Sequence, residues 1–150
     1  MNSEQHVEVS AAQKEAQALV GWRISNAQMG LGSILILDFQ DAEGAAVDAY
    51  LRSESAWLLA KGEAGVVGSL DDREAQVEVV SSLVGATVKQ IELGRHLQLA
   101  LVLSDEHELV LLPSYAASPD YENWVVRLPS GVVYTAGPGP RLFRALADEP

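Results

Sequence analysis

The chain has 150 residues, 48% hydrophobic and 21% charged, with no cysteine. That is enough for one hydrophobic core, and it excludes a mainly disordered chain, disulfides, thiolate catalysis and cysteine-based metal sites. Ten Lys and Arg against 21 Asp and Glu leave a formal net charge of -11, a field that repels phosphates and so excludes sequence-independent binding to nucleic acid or an anionic membrane.

The first nine residues carry no basic region and no apolar run, and no later stretch has 18 uninterrupted apolar residues. A cytoplasmic location is expected. The first helix is predicted to start at Ser10, with Gln13 three residues on completing a capping box. It ends at Gly21, where glycine suits a left-handed cap. A strand follows with Leu35, Leu37 and Phe39 on one face and Ile34, Ile36 and Asp38 on the other. Asp41-Ala-Glu-Gly44 reads as a hairpin connection into strands at 45–51 and 55–60.

A second helix is capped by Ser69 with Asp72, or by Asp71 with Glu74. Ala75, Val79, Ser82 and Leu83 are predicted on its buried face, and Gly85 ends it. Residues 97–103 alternate cleanly, with Leu97, Leu99, Leu101 and Leu103 on one side. Asp105-Glu-His-Glu108 is a polar hairpin, followed by strands at 109–112, 121–128 and 131–135, the last after the turn Pro129-Ser-Gly131. Gly137-Pro-Gly-Pro140 is expected to stop the sheet, 141–146 to form a helical turn, and 1–7 and 148–150 to fray.

These elements repeat. At an offset of 64, Leu19, Val20, Gly21, Gly30, Leu35, Leu37 and Asp41 recur as Leu83, Val84, Gly85, Gly94, Leu99, Leu101 and Asp105. That is seven of 23 ungapped positions, where unrelated segments give roughly one or two. Further on the register slips by three, pairing Trp57 with Trp124. The expected fold class is α+β: two tandem helix-plus-antiparallel-meander repeats, 10–62 and 71–142, with about nine strands in one pseudo-twofold domain spanning 1–150. A sandwich and a barrel-like sheet both remain open.

The succession Leu83-Val-Gly85, Val88, Glu108-Leu-Val-Leu, Tyr121-Glu-Asn-Trp124, Leu128-Pro-Ser-Gly131 and Gly137-Pro-Gly-Pro140 resembles a family of small bacterial proteins of unknown function. That family shares the helix-and-meander start and a closing Tyr-Glu-x-Trp strand, and the likeness covers 83–142. The final glycine-proline element departs from the double-glycine turn of that pattern. No activity comes with the resemblance. Small acidic proteins of this kind are, as a class, often immunity proteins against bacterial toxins, and that role is carried here as an expectation.

No catalytic constellation is legible. There is no Gly-x-Ser-x-Gly elbow and no Walker-type Gly-Lys-Ser/Thr, and Gly30-Leu-Gly32 lies between strands with no helix after it. Asp105, Glu106, His107 and Glu108 offer metal-ligand chemistry, but neighbours in one tight turn seldom converge on an ion, so a solvated loop is expected and no metal or cofactor. Asp38 interrupts an apolar strand and is a candidate acid or base. Arg141 and Arg144 are expected to pair with carboxylates of the body. Trp57 and Trp124 are expected in the core.

The leading expectation is a non-enzymatic protein-binding module, with a basic protein, such as a toxin, as partner. Asp105, Glu106 and Glu108 are predicted to steer association, and Tyr115 and Tyr121, in the irregular loop present in only one half, to anchor it. The alternative is a small-molecule-binding protein or simple acid/base enzyme with Asp38 or His96 in a pocket between the repeats. Homodimerisation through an edge strand is a further option.

Overall fold

The computed structural model describes residues 5–41, 43–44, 49–62, 66–114 and 122–146. In chain order they form β1 (Gln5–His6), α1 (Val9–Ala16) with a 3-10 turn at Gln17–Leu19, β2 (Arg23–Met29), β3 (Leu35–Gln40), β4 (Ala49–Ser53), β5 (Ala56–Lys61) and β6 (Val66–Gly68). Then come α2 (Arg73–Ser81), β7 (Val88–Leu93), β8 (Leu99–Leu103), β9 (His107–Leu112), β10 (Trp124–Arg127), β11 (Val132–Ala136) and β12 (Leu142–Leu146).

Capping competition sets the helix starts. Asp72 caps α2, its Oδ1 accepting from Ala75 N at 3.0 Å. The other two candidates are used elsewhere: Ser69 Oγ accepts from Trp57 N at 3.1 Å and Asp71 Oδ2 from Gly68 N at 2.7 Å. At α1 the capping-box expectation fails. The helix begins after Glu8 with no side-chain cap. Gln13 turns instead to β7, donating to Ile91 O at 2.9 Å and accepting from Leu93 N at 2.6 Å, and Gln17 adds a 3.0 Å bond to Ile91 O. β7 is an edge strand, and its outward backbone groups need partners more than the helix end does. The buried face of α2 also differs from expectation: Gln76 and Val80 are buried, while Ala75 and Val79 are only half-buried. Gln76 is drawn inward because its amide donates to Gly68 O at 3.1 Å.

The strands make two antiparallel sheets, β1-β12-β11-β10-β4-β3-β2 (sheet A) and β6-β5-β9-β8-β7 (sheet B). Their inner faces share one core, in which Leu35, Leu37, Leu51, Leu99, Leu101, Leu109 and Leu111 are buried with Trp57 and Trp124. The architecture is sandwich-like, and neither sheet closes on itself among the described residues.

The same pairing scheme appears in both sheets. Leu35 faces Ser53 as Leu99 faces Leu111, and Leu37 faces Leu51 as Leu101 faces Leu109. Trp124 then lies opposite Ser53, and Trp57 opposite Leu111. The tryptophan strand after each meander therefore crosses to the other sheet, β5 to B and β10 to A. Where the halves meet, Gly21 N donates to Val88 O and Gly85 N to Ile24 O, while Ile24 N donates to Ala86 O and Val88 N to Trp22 O, all at 2.8 Å. Each bond maps onto its partner when the two halves are exchanged, which is the signature of an isologous contact. Gly21 and Gly85 sit there at φ 91° and 95°, a region that costs other residues strain.

Two terminal expectations are corrected. Residues 142–146 form a strand rather than a helical turn, because the chain reverses at 137–141, Gly137 N bonding Arg141 O at 2.7 Å, and lays β12 along β11. Residues 5–7 are paired rather than frayed: β1 lies on β12 and Val7 N donates to Leu142 O at 3.0 Å.

Candidate partner-binding face

The outward side chains of sheet B fall in register as two rows. One runs Glu92, Ala100, Val110, Leu58, Gly68 and the other Gln90, Val102, Glu108, Ala60, Val66, with Ala56 and Leu112 paired beyond them. Neither helix covers this face: α1 lies along the β7 edge with Ala12 and Ala16 turned inward, and α2 packs on β2 and the end of β6. Leu58, Val66 and Leu112 are 43%, 56% and 41% exposed. A continuous Val, Leu and Ala surface thus meets solvent, with Glu92 and Glu108 as its acidic members.

Sheet A is the control. Its outward rows run Gln28, Ile36, Arg52, Val125, Thr135, Phe143 and Asn26, Asp38, Tyr50, Arg127, Val133, Ala145. By register Arg52 matches Val110, Arg127 matches Ala60 and Asp38 matches Val102. The same backbone positions therefore accept polar groups. Arg52 lies 5.9 Å from the centre of the Tyr50 ring, and Asn26 Nδ2 donates to Asp38 Oδ2 at 3.0 Å. Backbone geometry does not force the apolar character of sheet B.

Open edges offer less. Gln13 and Gln17 occupy β7, and Gly68 N and O at the β6 edge are bonded to Asp71 and Gln76. Arg73 reaches past the end of β2, its guanidinium donating to Gly30 O at 2.9 Å and Met29 O at 3.1 Å. These bonds take up backbone groups that strand addition at these edges would use.

The predicted steering residues separate. Glu108 stands in the outward face and Glu106, exposed at φ 74°, at the β8–β9 turn that ends it. Asp105 is a structural member of that turn, accepting from His107 N at 3.1 Å and pairing with His107 Nδ1 at 2.8 Å. Burial pushes its carboxyl up, but the His107 ring and backbone hydrogen bonds outweigh this and hold it below the ordinary value. His107 corrects the solvated-loop expectation: it opens β9 and is buried, since its ring lies on the inner side of the strand with Asp105 to satisfy it. Tyr115 and Tyr121 lie outside the described residues. Asp38 sits on the outer face of sheet A and His96 is exposed at the β7–β8 turn, so neither enters the space between the sheets.

That space holds one described cavity of about 10 Å³, lined by Ala12, Ala16, Ile91, Leu99, Trp124 and Tyr134 among others, room for at most a single water. Above it Arg144 clamps Glu15 with Nε–Oε1 at 2.9 Å and Nη2–Oε2 at 3.1 Å, and Tyr134 also donates to Oε1. The arginine's expected carboxylate partner is thus on α1, and the cluster fastens that helix to β11 and β12. The Arg144 hydrogen bond holds the Glu15 carboxyl below its ordinary value against the opposing effect of burial. Burial, then the adjacent carboxylate, push Tyr134 up to about 12. A lowered carboxyl value stabilises the fold above the unfolded value and is lost as pH falls through the folded one. Glu15→Gln is therefore expected to lower the melting temperature at pH 7, with the gap to wild type closing below about pH 4. Thermal melts across that range check it, and a gap independent of pH contradicts it.

No protein-family model, curated protein or solved structure matches this chain. Among the described residues no helix is long and apolar enough to cross a membrane, and no three His, Asp or Glu side chains cluster as a metal site.

The face itself escaped sequence reasoning, though it left a signal. Ala56-Trp-Leu-Leu-Ala60 and Leu109-Val-Leu-Leu112 are apolar without alternation, the pattern of strands covered on both sides. Among the described residues only one side of each is covered.

Proposed function

We propose that the chain is a non-enzymatic protein-binding module that docks a basic protein on the outer face of sheet B, a cationic toxin being one partner of that chemistry. The contrast between matching positions of the two sheets carries this reading. Sheet A bears Arg52, Arg127 and Asp38 where sheet B bears Val110, Ala60 and Val102, and an uncovered apolar sheet face is a liability unless something binds it. The net charge of -11 selects the partner's sign: it speeds encounter with a cationic surface and opposes a second copy of this chain. The isologous bonds at Gly21 and Gly85 further support an origin of the two halves in one duplicated unit.

The test is capture from an extract of the source cells on immobilised wild-type protein and on Leu58→Arg. An identified basic protein held by the first and lost from the second supports the reading. Equal retention by both contradicts it. With that partner purified, Glu106→Gln/Glu108→Gln is expected to slow association several-fold at low salt and little near 0.5 M, where the Debye length is about 4 Å. Asp105 is left intact because His107 depends on it. An association rate indifferent to salt and to both substitutions removes the steering role.

A further inference from the structure

Among the described residues, two leucines stand apart from the other exposed large apolar side chains. Leu70 is 99% and Leu31 86% exposed, against 57% for the next, Leu146. The segments that carry them are joined by Arg73. Leu31 follows Gly30 in the β2–β3 turn, Leu70 lies three residues before Arg73, and Arg73 ties the two segments together through Gly30 O and Met29 O.

Both tips are held in closed turns. Gly30 N donates to Ile34 O at 2.7 Å, with Gly32 at φ 66°, and Asp71 N donates to Gly68 O at 3.0 Å while the Asp71 carboxylate returns to Gly68 N. The leucines are thus presented on ordered backbone, which lowers the entropy lost on binding. The turn at 94–98 closes in the same way, Gly94 N donating to Gln98 O at 2.9 Å, yet carries exposed Arg95 and His96 at its tip. A leucine is therefore not required there. Asp71, Asp72 and Glu74 surround Leu70 in sequence and all are exposed. Two exposed leucines with these acidic neighbours complement an apolar cleft bordered by Lys and Arg.

We infer that Leu31 and Leu70 form a preorganised anchor for a protein partner that presents an apolar cleft rimmed by basic residues. This rests on the proposed docking role and extends its surface from β6 round the turn at 68–71. The defined probe is a library of random twelve-residue peptides displayed on phage and selected against the full chain. Enriched peptides are expected to combine Lys or Arg with Leu, Phe or Trp. They should bind Leu31→Ser/Leu70→Ser at least tenfold more weakly, while its melting temperature stays within a few degrees of wild type. Peptides that keep their affinity for this variant but lose it for Leu58→Arg overturn the anchor and leave the sheet B face standing. Peptides that bind both variants as well as wild type, or a selection that enriches no basic and apolar peptide, overturn anchor and face together. Loss on the leucine variant alone supports the anchor and counts against the face.

Discussion

Trp57→Ala and Trp124→Ala are each expected to lower the unfolding free energy by about 3–5 kcal/mol. Both rings are essentially inaccessible, at 0% and 2%, and each sits where a strand leaves its own meander to join the opposite sheet. Truncation removes the apolar burial of an indole and leaves a cavity that strands held on both sides cannot collapse into. Against a typical total of about 5–15 kcal/mol this is a large share. The two positions match in register, so the two losses should be of similar size. Trp124 Nε1 donates to Leu97 O at 2.8 Å, and Leu97 is itself buried at φ 65°. Trp124→Phe therefore leaves a buried carbonyl unsatisfied as well as a smaller ring. Urea unfolding with an unchanged m-value measures all three variants. A loss below about 1 kcal/mol for either alanine variant would show that the crossing strands do not hold the sheets together.

The second large effect separates binding from folding. Ala60→Arg/Val110→Arg places on sheet B the arginines that sheet A carries at the matching positions, Arg127 and Arg52. The fold accommodates that pair once already, so the melting temperature should move by only a few degrees. Partner affinity should fall at least 100-fold, because two unpaired charges would be desolvated in the centre of the contact and would face a basic surface. Calorimetric titration of the captured partner reads the loss. A variant that unfolds would show that sheet B needs its apolar face for stability, and a variant that binds normally would place the contact elsewhere.

The parts of this fold legible in the sequence are those governed by local pattern. The leucine alternation of β3 and β8 and the acidic cap of α2 follow from neighbours within a turn or a pleat, whereas α1 and α2 end at Ala16 and Ser81, short of Gly21 and Gly85, whose N–H groups bond to the other half. What escaped was set by distant groups. Gln13 reads as a capping residue and is used by an edge strand 78 residues on. His107 reads as a loop residue and is drawn inward by the register of β9. Residues 141–146 have no marked strand pattern and become β12 because β11 offers an unpaired edge. The exchange of β5 and β10 between sheets has no local signature at all.

The candidate site was legible in half. Acidity and the polar turn at 105–108 point to the end of sheet B where Glu106 and Glu108 stand. Asp105 is engaged by His107. The apolar rows were hidden in strands whose lack of alternation reads as full burial, and only the pairing of each strand shows which side lies open.

Side-chain footprinting by carbene labelling tests directly whether the partner sits on the outer face of sheet B. The full chain is labelled alone and with the captured basic partner. The account predicts protection of Leu58, Val66, Val110 and Leu112, with no change at Ile36, Tyr50 and Val125 on the outer face of sheet A. Protection confined to sheet A, with sheet B labelled as before, would contradict it.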